Sequence, residues 1–111
     1  RATGGRISSR IREIGYRPAA RLADDSPILP YIRAVDSYLG IRSFQDCSST
    51  DANVPLALGL PAVSIGAGGQ GGGAHTLQEW FAPAGRDLGL KRILLTLCLL
   101  LRNPSLKPPS R

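Results

Sequence analysis

One histidine, His75, is the whole imidazole complement of this 111-residue chain. Zinc takes three or four protein ligands, so a lone histidine holds a metal only with help from elsewhere. The two cysteines, Cys47 and Cys98, lie far apart without CxxC spacing. That excludes a zinc knuckle and a disulfide framework, and it fits a reducing cytoplasm. Aromatic residues make up only 5 % of the chain, and the aromatic interleaving of base-stacking surfaces is missing. The apolar run 93–101 is nine residues long with Thr96 inside it, too short to cross a hydrocarbon core. A secretory signal is also missing, and the chain opens on arginine, which reads as a piece of a longer protein.

What is present is apolar content of 42 %, enough for a single core, and a net charge of +6. Much of the positive charge lies early: Arg1, Arg6, Arg10, Arg12, Arg17 and Arg21 are opposed there only by Glu13. Such a run attracts phosphate or other anions. Without interleaved aromatics, a solvated terminus is the preferred reading and nucleic acid is disfavoured.

Along the chain, Ile7, Ile11 and Ile14 fall in an imperfectly alternating stretch, read as a strand and closed by Gly15 and Arg17-Pro18. Asp24-Asp25-Ser26-Pro27 offers an oxygen-bearing cap followed by proline at the first helical position. Ile28, Leu29, Ile32, Val35 and Leu39 then recur at helical spacing up to Gly40. Residues 41–44 read as a short strand, 52–58 as a brief helix, and 61–65 as a buried strand bounded by Gly59 and Gly66. Strand, helix and strand in that order imply a parallel sheet with a right-handed crossover. Residues 66–73 hold six glycines and read as a loop. Residues 87–102 form the clearest helix, apolar nearly all round and so in need of cover on more than one side. Residues 103–111, with Pro104, Pro108 and Pro109, read as a disordered tail.

Three groups could carry chemistry. His75 could be a zinc ligand, a general base or a hydrogen-bonded loop residue, and residue type and position alone favour the last. The glycine run could cradle an anion or simply let a substrate or metal approach the main chain. It lacks the Gly-Lys-Ser/Thr ending of a P-loop, so nucleotide binding is a weak reading. Ser48-Ser49-Thr50-Asp51 could cap a helix or face a ligand at the carboxyl end of a strand. No Gly-x-Ser-x-Gly elbow surrounds Ser49, which argues against a covalent nucleophile.

The ordered set Ser49-Thr50-Asp51-Ala52-Asn53, Gly59-Leu60-Pro61-Ala62, glycine run, His75-Thr76-Leu77 and Glu79-Trp80 resembles a known pattern. It is similar to the C-terminal part of the zinc-dependent metallopeptidases that include peptidase T, carboxypeptidase G, acetylornithine deacetylase and succinyl-diaminopimelate desuccinylase. Ile14-Gly15-Tyr16-Arg17-Pro18-Ala19-Ala20 also resembles the segment by which those chains return from the lid or dimerisation domain. The similarity covers residues 11–101; each motif is weak alone, and their order is specific.

The resemblance implies an α/β fold: the C-terminal part of a zinc-peptidase catalytic domain, with a mainly parallel sheet flanked by helices. Residues 1–22 would be the end of the lid domain and its return segment, and 23–102 the catalytic part. The resemblance also implies two zinc ions in the complete enzyme, with His75 matching the last metal ligand. Thr50 and Asp51 match a substrate-contacting turn, and Gly72 and Gly73 line the same side of the cleft. The implied reaction is metal-assisted hydrolysis of an amide bond in a small peptide or N-acyl amino acid, in a cytoplasmic enzyme that dimerises through the lid. The general base and other ligands would lie upstream, so no catalytic acid or base is named and the piece alone is expected to be inactive. The rival readings are a small basic module binding anions or nucleic acid, and a non-catalytic remnant that self-associates through its apolar last helix.

Overall fold

The helical spacing of Leu29, Ile32 and Val35 produces α1, Leu29–Leu39, in a computed structural model that describes residues 8–102. Pro30 sits in the first turn, where its missing donor costs little. The helix starts later than the Ser26 cap expected from sequence. Ile28 takes the N-cap position with no side-chain cap bond. The entry turn closes instead through the backbone, with the Ser26 N–H donating to Ala23 O and the Leu29 N–H to Ser26 O. At the far end Gly40 is left-handed, with φ 67°. The Gly40 N–H donates to Ser37 O and the Ile41 N–H to Asp36 O, the paired bonds of a Schellman stop.

The second long helix, α3, spans Arg86–Leu101, close to the expected 87–102. It packs on α1. Among the described residues the buried apolar side chains are Leu29, Ile32 and Val35, all on α1, while the buried polar ones include Asp36, Arg92 and Thr96. The core is therefore thin and has an ion pair at its centre. Gly89 lets α3 seat on the chain before it, because a Cβ there would lie 2.0 Å from the Ala67 carbonyl carbon. Only a residue without a side chain fits. Between them lies α2, Asn53–Ala57, five residues with none buried.

The expected mainly parallel sheet is overturned. Among the described residues the architecture is three helices and one two-stranded antiparallel sheet. Residues 41–44 and 61–65 join no ladder, and Phe44 is 88 % exposed. A buried parallel sheet needs helices covering its faces, and α2 has no buried side to offer. The described part of the alternating N-terminal stretch is also irregular, with Ile11 and Ile14 exposed. The expected tail at 103–111 lies outside the described residues.

The sheet forms where a loop was expected. Strand β1, Gln70–Gly72, pairs with β2, Trp80–Ala82, in the register Gln70 with Ala82, Gly71 with Phe81 and Gly72 with Trp80. The bare glycines make room for rings: a Cβ on Gly72 would lie 2.7 Å from the Trp80 indole nitrogen, and one on Gly69 2.5 Å from Phe81 Cζ.

Candidate functional site

Two local structures carry the residues singled out from the sequence. The first is the turn before α2. Arg17 reaches it from the N-terminal segment, donating one guanidinium N–H to Ser49 Oγ at 3.1 Å and another to Asp51 Oδ1 at 3.0 Å. Asn53 completes the clip: its amide donates to the Pro18 carbonyl at 3.0 Å, and its Oδ1 accepts the Thr50 N–H at 2.9 Å. Thr50 Oγ1 accepts the Ala52 N–H. The turn thus fixes itself through Thr50 and Asn53, in the way of hydroxyl and amide side chains near helix starts. Arg17-Pro18 is bound to it across more than thirty residues of chain. The Asp51 side chain is fully exposed, so its second oxygen stays open to solvent.

The second structure is the β1–β2 hairpin, whose connection carries His75 at its turn. Gly73 is left-handed, and so is His75, with φ 65°, the one non-glycine residue with positive φ among those described. That conformation costs about 1–2 kcal/mol for a residue with a Cβ. Thr76 holds it in place from the C-terminal side. The Thr76 hydroxyl donates to Gly73 O at 2.7 Å, its N–H donates to the same carbonyl, and its Oγ1 accepts the Gln78 N–H at 3.2 Å. His75 is therefore locked between two bonded neighbours, while its exposed imidazole has no hydrogen-bond or ion-pair partner among the described residues.

Two hollows adjoin these structures. A shallow one of about 390 Å³ lies beside the hairpin, lined by Gly71, Gly72, Ala74, Glu79, Trp80 and Phe81. A larger cleft of about 710 Å³ is lined by Thr50 and Asn53 with residues of α1, 43–48 and 62–66. Thr50 and Gly72 line different hollows, and no hydrogen bond joins the Thr50–Asp51 turn to the His75 hairpin among the described residues. No group of three or more His, Cys, Asp or Glu able to hold a metal occurs among them. The residues present offer one imidazole, so zinc fits here only if other residues supply the remaining ligands.

The strongest electrostatic feature was not singled out from the sequence. Asp36 accepts bonds from Arg92 Nε at 2.6 Å and from the terminal guanidinium nitrogen at 2.7 Å, with Ser43 donating to the same carboxylate. Burial alone would raise the Asp36 pKa, but the hydrogen bonds from Arg92 and Ser43 and the Arg92 charge outweigh it and hold it below the ordinary value. The sequence did carry a signal: Asp36 and Arg92 are charges placed within otherwise apolar helical stripes. Arg92 in turn is steadied by Thr96, whose hydroxyl donates to the Arg92 carbonyl at 2.8 Å.

No helix among the described residues is long and apolar enough to cross a membrane. Comparison with protein-family models, with curated proteins and with solved structures finds no match to this chain.

Proposed function

We propose that this chain supplies the last histidine ligand and a substrate-side turn of a cytoplasmic, zinc-dependent peptidase or amidase acting on small peptides or N-acyl amino acids. The observation that carries the reading is His75 itself. A histidine held in a left-handed conformation at a hairpin turn, with its ring exposed and without a hydrogen-bond partner among the described residues, is a presented side chain. The surrounding residues, Gly72, Gly73, Glu79 and Trp80, are those of the motif whose order resembles the zinc peptidases. Thr50 and Asp51 are the substrate-side residues, held by Arg17 and Asn53.

Under this reading the 111-residue chain hydrolyses no dipeptide alone, and the longer polypeptide that provides the remaining ligands does. In that polypeptide His75→Ala abolishes zinc-dependent hydrolysis while circular dichroism stays unchanged. Retained hydrolysis in His75→Ala would remove the residue from the site. The rival basic module is separated by binding to duplex DNA or RNA over a salt series: a steep salt dependence supports it, and the absence of binding removes it.

A further inference from the structure

Arg92 uses one edge of its guanidinium for Asp36 and leaves the other free. Nε and Nη2 donate to the carboxylate, while Nη1 has no hydrogen-bond partner among the described residues. The side chain is only 11 % exposed. Nη1 is nevertheless not sealed in, since among the described residues that are not exposed only Ser26 Oγ is both buried and unpartnered. Arg92 lines the cleft of about 710 Å³, so its free edge opens there. Leu29, Ile32 and Arg33 of α1 line the same cleft, and with Asp36 they fall within about 100° of helix arc. Arg33 therefore stands one turn from Asp36, on the side of α1 that meets Arg92.

The charges of the cleft sort into pairs and two remainders. Arg21 donates to both Asp24 oxygens at 2.9 and 3.3 Å, and Arg92 is matched by Asp36. Arg33 and Asp46 remain, and neither belongs to an ion pair among the described residues. Asp46 instead accepts the N–H of Cys47. The Asp36 end thus holds two guanidinium groups against one carboxylate whose oxygens are both used, a surplus of one positive charge. Over the whole cleft three arginines meet three aspartates, so a polyanion finds no counter-charge. Leu29, Ile32, Leu56 and Ile65 give the wall an apolar stretch. We propose that this cleft binds one small monocarboxylic acid, its carboxylate on Arg33 and the free edge of Arg92 and its apolar body on that stretch. Guanidinium N–H groups are strong, well-shaped donors to a carboxylate. The volume also lies within the roughly 300–1,000 Å³ of small-molecule sites. The site stands apart from the zinc reading: His75, Gly72 and Gly73 are not in it, and of the Thr50–Asp51 turn only Thr50 lines its wall.

The test is titration of the full chain, without zinc, with sodium hexanoate, sodium acetate and hexylammonium chloride, followed by NMR through the Arg92 Nε–H resonance and the amides of 62–66. The proposal predicts saturable hexanoate binding with a dissociation constant on the order of millimolar. Hexanoate moves the Arg92 and 62–66 signals together, and Arg33→Gln weakens it about fivefold, the size of a partly exposed charge contact. Acetate, which lacks the apolar body, and hexylammonium, which has the wrong charge, bind at least tenfold more weakly. Absence of saturable hexanoate binding overturns the proposal. Acetate binding as tight as hexanoate overturns the apolar half of the site, and hexylammonium binding as tight overturns the role of the arginines. Hexanoate that leaves the Arg92 Nε–H signal unmoved binds elsewhere and overturns the assignment, a result the wild-type chain gives even should Arg33→Gln fail to fold.

Discussion

Asp36 and Arg92, 56 residues apart in the chain, form a two-pronged ion pair in which both side chains are nearly buried and both carboxylate oxygens are used. This pair joins α1 to α3 at the centre of a core in which, among the described residues, three apolar side chains are buried. With so little apolar burial, the pair decides whether the two helices stay docked. Removing one partner strands a buried charge, which costs about 3–5 kcal/mol. Arg92→Leu and Asp36→Leu are therefore each expected to lower the unfolding free energy by that order, and the two together by much less than the sum. Denaturant unfolding of the singles and the double checks this, and additive losses would show that the pair is not coupled.

The same pair sets a pH dependence. The folded pKa of Asp36 lies below its unfolded value, so its contribution to stability is present above the unfolded pKa of about 3.9 and is lost as pH falls through the folded one. The denaturation midpoint is expected to be level down to about pH 4–5 and to fall below it, with the fall reduced in Asp36→Asn. A wild-type midpoint that falls no more steeply than that of Asp36→Asn as pH drops below about 4 would contradict the assignment.

Gly89→Ala pits two effects against each other. Alanine improves helix propensity by about 1 kcal/mol over glycine. Yet the new Cβ would meet backbone atoms of Ala67 and Gly68 at 2.0–2.2 Å, and backbone cannot swing aside as a side chain can. Overpacking of this kind costs typically 1–3 kcal/mol, so the variant is expected to be destabilised on balance. A raised unfolding midpoint would mean that α3 does not seat against Ala67.

At the turn, Asn53→Ala removes the amide that binds Pro18 and the oxygen that accepts the Thr50 N–H. Faster hydrogen exchange at Thr50 and a freed 16–18 segment are expected. Arg17→Ala releases the same segment while leaving Thr50 protected, because the Thr50 bond to Asn53 is local. Equal exchange at Thr50 in wild type and Asn53→Ala would rule out the clip.

The helices were legible in the sequence because each is a repeated signal. Leu29, Ile32 and Val35 recur on one face, Gly40 supplies the left-handed stop, and Pro55 falls where a first turn tolerates it. The strands were not, for two physical reasons. Mostly apolar runs such as 61–65, with Val63 and Ile65, state that a segment suits a sheet, but a strand exists only where a partner ladder forms, and none does there. Conversely Gln70-Gly71-Gly72 has no alternation or β-branching to read, and its pairing comes from the Trp80 and Phe81 rings lying over bare backbone. Of the candidate site, the hairpin holding Gly72, Gly73 and His75 and the turn holding Thr50 and Asp51 are each locally built. The left-handed His75 is a property of the Gly73 and Thr76 bonds around it, which no residue pattern displays.

The most direct measurement is zinc titration of the 111-residue chain followed through the His75 imidazole resonances by NMR, repeated with His75→Ala. One ligand without the rest of its set predicts weak, saturable binding, with a dissociation constant on the order of millimolar, that moves the His75 ring signals and vanishes in His75→Ala. Undisturbed His75 signals at millimolar zinc, or stoichiometric zinc retained after dialysis against a mild chelator, would contradict it.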